Sequence, residues 1–221
     1  MRMFKDEASK LCMEDKNKLR IRQNHDDDVQ YNNASETGIK EECTLHNVND
    51  FHITENISVD LMHDFSEGVC MFVMHNLIYP FVYVKENFTL ETLNAKVAAF
   101  NYGPSEALNK PPTIVPDRVL KHDKLKMSAS EALTFVRFFG MIMGELIPED
   151  DAHYKLYCYL RRILDILLSP RFIEADAILL GEYTQRMNSL YIEFDGRFKP
   201  KMHFLIHYPA ILLKNRLATR Y

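Results

Sequence analysis

The sequence predicts a mainly α-helical fold of seven or eight helices with a few short β segments. Two observations carry that prediction. Apolar residues recur at i, i+3/i+4 and i+7 through most of the chain after Phe65, and helix-start signals at Thr89 and Ser128 stand directly ahead of such runs.

The elements follow in order. Residues 1–50 form a polar, charged N-terminal arm with the acidic run Asp26-Asp27-Asp28; one or two short helices and a loop are expected there. From Phe51, His52-Ile53-Thr54 and Ile57-Ser58-Val59 are β-branched and bounded by polar residues, so short extended pieces are expected. A long helix then begins near His63 or Asp64, with Phe65, Val69, Phe72, Val73, Leu77 and Ile78 as its buried stripe. Thr89 caps a helix through Leu90, Leu93 and Val97, and residues 102–116, with Gly103, Pro104, Pro111, Pro112 and Pro116, form a loop suited to an internal hinge. Ser128 and Glu131 form a capping box for a helix that is apolar on nearly all sides and ends at Pro148. Two amphipathic helices over about 153–168 and 173–194 and a last one over about 200–215 complete the reading.

Composition narrows the function. With 47% hydrophobic residues and a net charge of −4, nothing global demands nucleic acid, so the distribution of charge matters more than its total. Four scattered cysteines without a CxxC pair and a charged start point to an intracellular, reduced protein. No apolar run is long enough to span a bilayer, and no Gly-rich phosphate loop offers a seat for a nucleotide cofactor.

Several clusters carry chemistry on paper. His203 and His207, four apart on one helix face, could point two nitrogens at a metal, but two ligands are too few for a zinc site. Glu149-Asp150-Asp151 reads either as a cation-binding group or as the acidic start of the next helix. Residues 197–221 hold Arg197, Lys199, Lys201, Lys214, Arg216 and Arg220 and no acid, so this segment could meet DNA phosphates or simply be a solvated helix end. Asp60-Leu-Met-His63, with Asp64 and Glu67 behind it, could orient a histidine or hold a metal; the same residues also suit a helix N-terminus.

A succession of motifs gives the chain a relative. Thr37-Gly-Ile-Lys-Glu-Glu-Cys43, Phe51-His-Ile-Thr54 and Val59-Asp-Leu-Met-His-Asp-Phe-Ser-Glu-Gly-Val69 resemble animal transposase-derived proteins related to the CACTA (En/Spm) DNA transposases. Phe88-Thr-Leu-Glu-Thr-Leu93, Lys126-Met-Ser-Ala-Ser-Glu131, Leu146-Ile-Pro-Glu-Asp-Asp151 and Lys199-Pro-Lys-Met-His-Phe-Leu-Ile-His-Tyr-Pro209 resemble the same family in the same order. The resemblance implies an RNase H-like catalytic domain whose Asp-Asp-Glu triad holds Mg²⁺ or Mn²⁺. It makes Asp60 and His63 a signature pair that follows the second catalytic acid, not members of the triad. By that correspondence the first two acids and a zinc-like CxxC fall upstream of Met1 and the third acid beyond Tyr221. The expectation is therefore a transposon-derived helical portion, residues 51–221, that is catalytically inactive by itself, needs no cofactor, sits inside the cell or its nucleus, and binds DNA, protein or a second copy of itself. Two alternatives stand beside it: part of an active transposase or nuclease, and an unrelated helical interaction module.

Overall fold

A computed structural model describes residues 20–56, 58–194 and 196–218. It is mainly helical, with nine α-helices and no strand among the described residues. The chain divides into two compact units, residues 1–59 and 60–221. The loop over 102–116 lies within the second unit and contains a single 3₁₀ turn, Pro104–Glu106.

The first unit holds α1 (Arg22–Gln30), α2 (Ala34–Thr37) and a 3₁₀ turn, Thr44–Asn47. Asn24 accepts from the Ile21 backbone N–H at 2.8 Å and secures the start of α1. Gly38, at φ 78°, closes α2 in the left-handed conformation that a residue with a Cβ rarely adopts. The extended pieces expected around 52–54 and 57–59 do not form strands among the described residues. Instead Glu55 and Asn56 donate to the His52 carbonyl, and the Asn56 side chain accepts from the His52 N–H at 2.7 Å, so a local turn takes the backbone bonds that a ladder would need.

The second unit starts with a π-helical stretch, Leu61–Cys70, that runs directly into α3 (Met71–Tyr83). Then come α4 (Leu90–Ala99), α5 (Pro116–Leu120), α6 (Ala129–Met143), α7 (Ala152–Leu167), α8 (Glu174–Glu193) and α9 (Pro200–Ala218). α3 packs on α7, α7 on α8, α8 on α9, and α9 returns to the π-helical stretch, which α6 also covers. The helices thus close a ring around one apolar interior. Phe65, Val69, Val73, Leu77 and Phe81 enter it from the first helix, Phe135 and Phe139 from α6, Leu156, Leu160 and Ile163 from α7, and Met202, Leu205 and Tyr208 from α9.

Local chemistry explains the helix ends. Thr89 accepts from the Thr92 N–H at 3.0 Å, and the Ser128 N–H donates to Glu131 at 2.8 Å in the expected capping box. α6 stops at Met143 and a 3₁₀ turn, Gly144–Leu146, leads to Pro148.

Polar ties then join the helices. Glu106 accepts from Asn109, Thr134 and Arg137, Lys199 donates to Asp123 at 2.5 Å, and Lys85 pairs with Asp151. The Asn109, Thr134 and Arg137 bonds hold the Glu106 carboxyl below its usual range, and Lys199 does the same to Asp123. Desolvation opposes the charged form of Asp151, but the Lys85 and backbone bonds outweigh it and lower its pKa too. Burial and the neighbouring Lys85 ammonium lower His153, which stacks on Phe194 at 4.0 Å. The signs agree. A depressed carboxyl stabilises the fold above its unfolded value, about 3.9 for Asp and 4.3 for Glu, and that stability is lost as pH falls through the folded value. A depressed histidine likewise begins to cost stability below about pH 6.5. Thermal melts are expected to show a shallow loss from pH 7 to 5 and a steep one below about pH 4.

Candidate functional site

The acid-rich opening of the second unit is a helix start. Asp60 Oδ1 accepts from the His63 backbone N–H at 2.9 Å, while Oδ2 lies 2.7 Å from His63 Nδ1. Those two contacts, the backbone one first, hold the Asp60 carboxyl low. Asp64 Oδ2 and the Asp60 carbonyl both accept from the Tyr208 hydroxyl, at 3.4 and 3.3 Å, and His75 Nε2 sits 2.9 Å from the Val119 carbonyl. Each polar group of the stretch named here thus has a local structural task.

Gly68 makes room for a side chain from α9 within the π-helical stretch. A Cβ there would fall 2.4 Å from Lys201 Cδ and 3.0 Å from the His63 carbonyl oxygen. That space lets the Lys201 ammonium donate to the His63 carbonyl at 2.6 Å. Gly68→Ala is expected to push the flexible lysine aside and cost about 1 kcal/mol, the worth of one hydrogen bond, as a lowered urea midpoint at unchanged slope.

The other clusters also resolve. Asp151 caps α7, accepting from the His153 and Tyr154 N–H groups at 2.8 and 3.3 Å, while Glu149 and Asp150 are exposed. Of the C-terminal cations, Lys199 is held by Asp123 and lies over the Phe72 ring, and Lys201 is held by the His63 carbonyl, so both serve inside the unit. Arg197 and Lys214 are exposed. Arg220 lies outside the described residues, as does the side chain of Arg216. His203 and His207 stand with their Nε2 atoms 3.1 Å apart on α9. Among the described residues no third His, Cys, Asp or Glu joins them in a metal-sized group.

One constellation escaped the sequence reading. In the first unit His25 on α1, His46 in the 3₁₀ turn and His52 in the following loop offer one ligand nitrogen each, all within 4.8 Å of one another. The His46 and His52 rings stack at 4.2 Å, and His25 stands edge-on to both at 5.3 and 5.2 Å. Asp26 Oδ1 lies 3.3 Å from His25 Nδ1 and 3.3 Å from His52 Nε2, and Glu42 Oε1 lies 3.8 Å from His46 Nδ1. Desolvation works against the Asp26 charge, but the bonds from His25 and His52 prevail and lower its pKa. Spacings of 21 and 6 residues fit no compact metal-binding motif, so only the fold brings these rings together.

Comparison with protein-family models, with curated proteins and with solved structures finds no match to this chain. No described helix is long and apolar enough to cross a membrane.

Proposed function

We propose that the chain is a transposase-derived protein that performs no strand chemistry itself and acts by binding, with DNA as its partner class. The observation that carries this reading is the ordered series of motifs from Thr37 to Pro209 that resembles CACTA-type transposases. The helical second unit suits the helical insertion such enzymes place within an RNase H-like domain, a correspondence that rests on the sequence motifs alone. Within that resemblance Asp60 belongs to the signature pair and not to the triad, and its carboxylate is engaged by the His63 N–H and ring at a helix start.

The cations that would meet DNA are those of residues 197–221, Arg197, Lys199, Lys201, Lys214, Arg216 and Arg220; Lys199 and Lys201 also bond within the unit, to Asp123 and the His63 carbonyl. The test is an electrophoretic shift on transposon terminal-repeat duplexes at several salt concentrations, with a parallel nicking assay in Mn²⁺. Expected are a complex that weakens steeply with salt and no cleaved product. Mn²⁺-dependent cleavage by the purified chain would overturn the inactive assignment. Absence of any salt-sensitive complex would replace DNA with a protein partner.

A further inference from the structure

We propose that His25, His46 and His52 bind a zinc ion that serves as the interior of the N-terminal unit. Among its described residues, 20–56 and 58–59, no hydrophobic side chain is buried; the two buried residues are His25 and His52, at 5% and 4% exposure. A unit this small rarely folds on apolar burial even when it has an apolar core, and metals or disulfides are the usual substitutes. The thiol of its one described cysteine, Cys43, is free, so a metal is left as the cross-link.

Three imidazoles packed against one another make a poor interior, because each brings polar nitrogens that must be satisfied. A shared cation satisfies all three at once. Each ring already has a carboxylate beside one nitrogen: Asp26 at His25 Nδ1 and His52 Nε2, Glu42 at His46 Nδ1. That leaves His25 Nε2, His46 Nε2 and His52 Nδ1 for the ion, the arrangement in which a ligating histidine donates its other N–H to an acid. His46 Nε2 and His52 Nδ1 presently accept from the Ile53 and Thr54 backbone N–H groups, both at 3.3 Å, so their lone pairs are available to weak donors that an ion outcompetes. His52 Nδ1 also sits 2.7 Å from the Thr54 hydroxyl, which can rotate to the ion's margin.

Imidazole donors without thiolate suit zinc among the common divalent ions, and three histidines with a carboxylate or water complete a tetrahedral shell. Zinc–nitrogen bonds of about 2.0–2.1 Å require ligand nitrogens about 3.4 Å apart. One ligand nitrogen of each ring already lies within 4.8 Å of the others, a spread that small side-chain shifts would close to zinc geometry.

The site is independent of any transposase ancestry and of DNA. The test uses the full chain, stripped with chelator and titrated with zinc alone, read by calorimetry and by amide hydrogen exchange. Expected are one tight equivalent and slowed exchange confined to residues 20–56. His25→Asn and His52→Asn are each expected to weaken binding by at least about 100-fold, the upper end of what loss of a supporting group costs. The double variant His203→Asn/His207→Asn should bind as the parent does. Zinc that leaves exchange across 20–56 unchanged in the unaltered chain would overturn the proposal without recourse to any variant. Binding that follows His203 and His207 instead would do the same.

Discussion

Phe139→Ala is expected to lower the stability of the helical unit by about 3–5 kcal/mol, enough to unfold a marginal domain. Phe139 is fully buried on α6, and its ring stands edge-on to Phe135 at 5.6 Å and to Tyr157 at 5.2 Å. Removing it takes away both aromatic contacts and leaves a cavity between α6 and α7. The neighbouring Met141, 72% exposed on the same helix, supplies the control: Met141→Ala should stay within about 0.5 kcal/mol. Urea denaturation followed by far-ultraviolet circular dichroism measures both. Equal losses from the two variants would mean that α6 does not present Phe139 to the interior.

Tyr157→Phe is expected to cost about 2 kcal/mol for the loss of a single oxygen atom. The Tyr157 hydroxyl accepts from the Gly140 N–H at 2.8 Å and donates to the Val136 carbonyl at 3.1 Å. Residues 136 and 140 are the pair that would close one turn of α6, so a side chain from α7 enters the backbone ladder of its neighbour. The approach is possible because residue 140 is glycine: a Cβ there would sit 3.0 Å from the hydroxyl and 3.1 Å from the ring. Phenylalanine keeps the packing but removes both of these bonds. Burial also raises the phenol pKa to about 12, so no ionisation complicates the comparison below pH 10. A loss below about 0.5 kcal/mol in the same denaturation experiment would indicate that α6 closes its own turn without help.

Helix positions in the second unit were legible because they rest on local rules. Ser128 with Glu131, Thr89, and the apolar spacing of α7 and α8 all act within one or two turns, and the structure starts helices there within a residue or two of expectation, although α6 ends at Met143, ahead of the expected stop at Pro148. The π-helical form of Leu61–Cys70 was not legible, since apolar spacing over ten residues does not separate it from an α-helix, and the lysine that braces it comes from residue 201. The short helix Pro116–Leu120 takes the count among the described residues to nine, being too brief to show a period. The β pieces near 51–59 failed for the opposite reason: branched residues favour extension only where a neighbouring strand receives their backbone bonds. The histidine group was invisible because its members are tied by packing alone, whereas His203 and His207 attracted notice merely by being one turn apart.

The ring closes between its earliest and latest members, since α9 packs on the π-helical stretch that opens the unit. As the polypeptide emerges from the ribosome at about 5–20 residues per second, the side of the first helix that meets Met202, Leu205 and Tyr208 waits for more than a hundred further residues. During those seconds it is an uncovered apolar surface, the kind of transient exposure that invites aggregation.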